Sequence, residues 1–285
     1  MAFVTKHASV RQYHRRELAV EGDLSCSLYC DIEQPEETFA PFRQGPPVEA
    51  GFCKDVSLDW TQLTGHIDEV EAGSETVRGG YVWIAARLTT KFAAEWLESH
   101  PRSDCTVLEL GAGTGVVGIM VSRLTEGSTV VTDGNPAMLQ LLQLNTEINR
   151  RRNVVIAKLL WGEDIEPLPG QPLLPASFDL VVASDLLYSE DDVTPLWSSV
   201  ERYLSHNADA AFILGHQERH TVTFDKGIVG ESEQDEVLVL FQAEASKRGF
   251  LVARVTMTSL VPDEDLIHLL LCTRRPAPAG NTAPA

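Results

Sequence analysis

Three short stretches of this sequence hold residue types whose spacing could do chemistry. The first is VLELGAGTGVVGIM, from Val107 to Met120, with Glu109 just ahead of Gly111, Ala112, Gly113, Gly115 and Gly118. Glycines at a strand-to-helix turn let the backbone approach a ligand closely. The helix that follows leaves unpaired N–H groups aimed at that ligand. Two readings share the same letters. Gly113, Gly115 and Gly118 spell G-x-G-x-x-G, the fingerprint of a pyrophosphate site. Glu109 to Gly115 spell E-x-G-x-G-x-G, in which an acid faces a cationic group. The glycine pattern alone is weak, because small residues also serve packing at such turns.

The second stretch is ASDLLY, which sets Asp185 and Tyr188 three apart. A helical turn would put both on one side, although a helix cap and a packing tyrosine would give the same letters. The third is LLWGED, where Trp161 could lie against an adenine or simply pack. Asp133 closes STVVTD and can accept both hydroxyls of a ribose. His216 and His220 are four apart, which suits a metal only on a helix, with no obvious third ligand.

The elements that must position these residues alternate. TVLEL, STVVTD, NVVIAKLL, FDLVVAS and AAFILGH read as strands, with helical patterns between them. Asn135 caps a helix with Pro136 at its first position and Leu139, Leu142 and Ile148 on its buried stripe. Val193, Leu196, Trp197, Val200 and Leu204 share the face of another helix, with Pro195 in its first turn. Val237, Leu240, Phe241 and Ala245 share the face of a third, stopped by Gly249. Apolar strands alternating with helices predict a doubly wound parallel sheet. LVARVTM and LIHLLLC then follow without a helix between them, so the last strand must run antiparallel. The expectation is an α/β fold with a seven-stranded, Rossmann-like sheet, its last strand reversed. That reversal is not the usual dinucleotide arrangement. Glu109 would also repel a pyrophosphate, whereas it can pair with the ammonium of a methionine moiety. Together they favour S-adenosyl-L-methionine over a dinucleotide.

Ahead of this domain, residues 24–32 and 56–60 look strand-like, and a helix runs from about Trp83 to Ser99. Cys26 and Cys30 alternate with Leu24, Leu28 and Ile32 along one strand face, where thiols act as small hydrophobes. The first 16 residues hold basic residues and no acid. They read as a frayed start, with a mitochondrial transit peptide as the alternative. The expected organisation is an N-terminal β extension over 1–78, a catalytic domain over 79–273 and a disordered proline- and alanine-rich tail over 274–285.

The 285 residues carry 41 acidic against 23 basic side chains, a formal charge of −18. That field repels phosphate backbones and argues against nucleic acid as a partner, while attracting basic protein surfaces. No apolar run is long enough to span a membrane. Five scattered cysteines form no disulfide framework, which points to a reducing, cytoplasmic setting. DKGIVGESEQDE, at 225–236, reads as a mobile acidic loop over the carboxyl edge of the sheet.

Taken in order, GGYVWIAARLTTKF, VLELGAGTGVVG, VVTD, LLWG and SDLLY resemble methyltransferase family 16, the seven-strand (class I) protein-lysine methyltransferases. The resemblance implies that Trp83 and the glycine loop contact the methyl donor, that Asp133 binds ribose, and that Trp161 lies at the adenine. It implies that Ser184 lines the site and that Asp185 and Tyr188 face the incoming lysine. HQERH resembles a further family segment and would bring Arg219 to the substrate. The predicted reaction transfers a methyl group to a nitrogen, with no metal required. A small-molecule N-methyltransferase and a non-catalytic donor-binding module are the competing readings.

Overall fold

The computed structural model describes residues 10–19, 25–31, 56–59, 79–80, 82–170, 174–219, 222–225, 228–232, 234–255 and 267–276. Three N-terminal strands, β1 (Val10–Ala19), β2 (Ser25–Asp31) and β3 (Val56–Asp59), form an antiparallel sheet with β1 in the middle. β2 and β3 fall where alternation predicted strands. β1 corrects the expectation of a frayed start. VRQYHRRELA has no apolar period to announce a strand, yet its backbone pairs on both sides.

From Val107 onward, runs of β-branched and aliphatic residues become strands and the intervening segments become helices. Helix α1 (Ile84–Ser99) leads into β4 (Val107–Leu110), followed by α2 (Val116–Val121) and β5 (Thr129–Asp133). Then come α3 (Pro136–Ile148), β6 (Val154–Lys158), the two-residue β7 (Glu166–Pro167) and β8 (Leu180–Ser184). Helix α4 (Glu190–Tyr203) and β9 (Ala211–Gln217) precede a hairpin of β10 (Val222–Asp225) and β11 (Ile228–Glu231). Helix α5 (Glu236–Lys247), β12 (Phe250–Val255) and β13 (Ile267–Arg274) end the fold.

The large sheet has the order β12-β13-β9-β8-β4-β5-β6-β7. β4, β5, β6, β8 and β9 run parallel, and β13 lies antiparallel between β9 and β12. The predicted reversed strand is therefore present, but inserted inside the sheet. β7, paired antiparallel to β6, is an eighth strand that periodicity cannot see at two residues. After β6 the chain crosses back to lay β8 beside β4. That makes the carboxyl ends of β4 and β8 the switch point of the sheet, where α/β folds bind ligands.

Alternation along β4 sends Leu108 and Leu110 into the core under α4 and α5, and Val107 toward α1 and α2. Trp197 anchors the first of these cores. It stacks on Phe241 at 4.8 Å, meets Phe212 edge-on at 5.7 Å, and donates its indole N–H to Phe241 O. Asn135 Oδ1 accepts from Ala137 N at 2.9 Å, the expected cap of α3. Helix α4 starts earlier than expected. Ser189 caps it, three acids fill its first turn, and Pro195 sits inside the helix, beyond that turn.

Two further expectations change. The segment predicted as a mobile acidic loop, 225–236, instead supplies the last residue of β10, all of β11 and Asp235, the cap of α5. Arg274, expected to open a disordered tail, instead ends β13. Arg274 lies over the Phe250 ring and donates to Glu201 O and Leu204 O, while residues 277–285 lie outside the described set.

Candidate active site at the carboxyl edge

A cavity of about 330 Å³ opens at the switch point, within the range of small-ligand sites. Trp83, Glu109, Gly111, Ala112, Gly113, Asp133, Trp161, Ser184, Asp185 and Tyr188 all line it. The residues singled out by their chemistry or by the family resemblance, spread over about a hundred positions, thus converge on one space.

The glycine turn makes the floor. Gly111, Gly113 and Gly115 all have positive φ (59°, 52° and 79°), which side-chain-bearing residues adopt at a steric penalty. A Cβ on Gly113 would stand 2.6 Å from Gly79 O, and one on Gly111 would meet Leu186 at 2.6 Å and Trp161 at 3.4 Å. Gly118 is different. It lies within α2, and a Cβ there would strike Val131 and the Glu109 carboxyl, so its role is close packing. The G-x-G-x-x-G spacing therefore mixes a binding turn with a packing glycine.

Glu109 is buried at 3% exposure, and its Oε2 accepts the Gly118 N–H at 2.8 Å. Gly115, at the cap position of α2, offers no side chain, so the carboxyl also serves the helix N-terminus. Burial pushes Glu109 up to about 8; the Gly118 hydrogen bond opposes this and the nearby Asp133 adds to it. Asp133 spans two loops, Oδ2 accepting from Gly113 N at 3.0 Å and Oδ1 from Asn135 N at 2.8 Å. Burial holds its carboxyl above the ordinary value in spite of these N–H groups. Across the cavity, the buried Ser184 Oγ has no hydrogen-bond partner among the described residues. Such a hydroxyl is expected to find one in a ligand or ordered water.

Asp185 and Tyr188 meet at the mouth by a route the spacing did not suggest. No helical turn joins them. Asp185 is left-handed (φ 56°), which swings the chain away from β8 at once. Its side chain is fully buried; Oδ1 accepts from Gln217 N at 3.2 Å, and Oδ2 pairs with Arg219 Nη2 at 2.7 Å. The Arg219 guanidinium sits 4.8 Å from the centre of the Tyr188 ring. Arg219, which the HQERH resemblance would bring to the substrate, thus joins the pair through Asp185.

His216 lies buried in β9, its Nε2 2.8 Å from Asp235 Oδ2, and burial keeps it below the ordinary histidine value. His216 lies on a strand, not on the helix a ligand pair would need, and His220 is outside the described residues. No cluster of three metal-ligating side chains occurs among the described residues. Gly79, Leu160 and Leu186 also line the cavity; apolar or featureless by type, they carried no chemical signal.

A family model described as lysine methyltransferase matches residues 65–226, more than half of the chain. The chain belongs to this family. Its large sheet is mostly parallel, with one reversed strand inserted between β9 and β12. Among relatives, the mouse protein N-lysine methyltransferase METTL21A is 33% identical over 131 residues, covering 45% of this chain and 56% of that protein. The Saccharomyces cerevisiae protein-lysine N-methyltransferase EFM6 is 33% identical over 162 residues, covering 50% of this chain and 65% of that protein. The Kluyveromyces lactis protein N-terminal and lysine N-methyltransferase EFM7 is 28% identical over 195 residues, covering 59% and 71%. The chain thus spans between about half and two thirds of the first two relatives' length.

Proposed function

We propose that this chain transfers a methyl group from S-adenosyl-L-methionine to the side-chain amine of lysine in a protein substrate. The observation that carries the reading is a single cavity joining the glycine turn to the Asp185–Tyr188 pair, so that donor and acceptor can share one space. Family membership and the names of the relatives support lysine as the acceptor.

The site fits the donor on its own features. Gly111 and Gly113 line the cavity with backbone at positive φ and no side chain, the Ser184 hydroxyl lacks a partner among the described residues, and Glu109 offers a carboxyl beside the turn. Glu109 would face the α-ammonium, Asp133 the ribose hydroxyls, Trp161 the adenine, and Trp83 and Ser184 the remaining walls. The bound donor supplies an activated sulfonium methyl, so alignment is the main task and no nucleophilic side chain or metal is required.

The amine attacks only as the free base, and at the reference lysine value roughly one in two thousand is neutral at pH 7. Asp185 orients the nitrogen and Tyr188 walls its approach, its ring face attracting a methylated cationic product. The proton then passes to water. A cytoplasmic setting goes with this reading, supported by the free, buried Cys105 and Cys272. Among the described residues, no helix is long and apolar enough to cross a membrane.

The direct test is labelled methyl transfer into a lysate depleted of its own activity, with mass spectrometry of the labelled band. Label on a protein lysine is expected. Label confined to filterable small molecules would replace this reading with small-molecule N-methylation. Asp185→Ala should bind donor yet lose most transfer; full activity in that variant would remove Asp185 from the mechanism.

A further inference from the structure

Arg219 stands where the acceptor's cation is expected to arrive. Its guanidinium touches the two side chains, Asp185 and Tyr188, that the proposed reaction gives to the incoming lysine. It is held there from several directions. The Arg219 backbone N–H donates to Asp235 Oδ2 at 2.7 Å and its side-chain Nη1 to Gln217 O at 3.0 Å, while the Gln217 backbone N–H donates to Asp185 Oδ1. Asp235 in turn accepts from His216 Nε2 and from Leu238 N at the start of α5. The ends of β8 and β9 thus hold the guanidinium, while the start of α5 holds the Arg219 backbone.

The exposures fit a permanent pair. The Asp185 side chain is 0% exposed and that of Arg219 is 33% exposed. A carboxylate buried that deeply needs a charged partner before any substrate arrives. A bare carboxylate beside an amine favours the ammonium, which cannot attack. A carboxylate already neutralised by a guanidinium does not, and the guanidinium itself repels a second cation.

We infer that Arg219 is a positioning residue which, by neutralising Asp185, lets the acceptor lysine stand in the channel uncharged while Asp185 still orients it. The inference rests on the lysine reading above. Other titratable groups face the cluster: Asp235 and His216 behind Arg219, and His268 on β13, whose Nε2 lies 2.7 Å from Glu218 Oε2. Glu109 and Asp133 lie across the cavity. His216 is held below and Asp235 below their ordinary values, so neither changes charge above pH 7. Glu109 does titrate near 8, so variants are compared at saturating donor.

The test compares Arg219→Gln, Arg219→Lys and the unaltered chain across about pH 6.5 to 9.5, using labelled S-adenosyl-L-methionine and the protein band the chain labels. Arg219→Gln should lose about tenfold at pH 7 and reach its alkaline plateau about one pH unit higher than the unaltered chain, while Arg219→Lys stays within about threefold throughout. A loss with that plateau unmoved would make Arg219 a structural strut and overturn the inference. A gain at pH 7 would make it a gate that lysine must displace, and would overturn it equally. A second measurement needs no turnover. A donor analogue whose methyl is replaced by a 4-aminobutyl chain, titrated at pH 7, should bind Arg219→Gln about tenfold more tightly, relative to S-adenosyl-L-methionine, than it binds the unaltered chain. An unchanged ratio sinks the inference. If the donor binds and no protein takes label, the lysine reading falls, while this titration still decides what Arg219 does to a neighbouring amine.

Discussion

Glu109 does two jobs with one carboxyl. Oε2 satisfies the Gly118 N–H of α2, while the group as a whole lines the cavity at 3% exposure. Burial raises it to about 8, so at neutral pH the ligand-free site is mostly protonated there. A cationic α-amine facing it favours the carboxylate and lowers that value on binding. The sign follows: donor binding releases a proton and is opposed by acid. Affinity for S-adenosyl-L-methionine should tighten between pH 6 and about 7.5, by up to about tenfold per pH unit, and lose this dependence near 8. Titration calorimetry with 5′-methylthioadenosine, which has no amino-acid part, should show no such slope. Glu109→Gln keeps an acceptor for Gly118 and should bind more weakly without the slope. A slope surviving in Glu109→Gln would take this carboxyl out of donor recognition. The identity of such residues was legible in the sequence because an acid among glycines at a strand end has few structural uses. What Glu109 does for the helix was hidden, since it depends on Gly115 leaving the cap empty.

At the scale of elements, the glycine turn is held from behind by α3. Asn145 is buried, and its Nδ2 donates to Thr114 O at 2.8 Å. Asn145→Ala would leave that carbonyl unpaired, costing about 1–3 kcal/mol, and would loosen the turn that shapes the cavity floor. Trp197→Ala opens the core between α4, α5 and the sheet and should cost about 3–5 kcal/mol. The two variants separate by function. Both should unfold at lower denaturant, but Asn145→Ala alone should weaken donor binding, by about fivefold or more. Equal affinity in both would mean that the turn holds its shape without α3. Strands and helices of the large sheet could be read because the central strands are unbroken apolar runs while the helices bury one periodic face. β1 could not, since its partners lie at positions 25–31 and 56–59 and its own residues show no apolar alternation. The Asp185 turn was misread for a related reason: a left-handed aspartate breaks the spacing rule on which the helical reading relied.

The whole molecule carries −18, an excess spread over 41 acids. Such a field acts at a distance on a basic protein and hardly at all on a small ligand already inside a cavity. Screening therefore separates the two binding events. At about 0.15 M salt the screening length is about 8 Å, and it shrinks further as salt is added. On the protein-lysine reading, raising salt from about 20 to 300 mM should lower kcat/KM for a basic protein substrate by about tenfold or more, chiefly through KM. The dissociation constant for S-adenosyl-L-methionine should move by less than about threefold, because its charge meets buried partners such as Glu109. Steady-state rates at the two salt levels, with donor saturating, measure the first effect and calorimetry the second. If KM stays flat while the charge difference is screened away, the acidic surface is only a solvated coat, and selection of the substrate falls to close contacts around the cavity mouth.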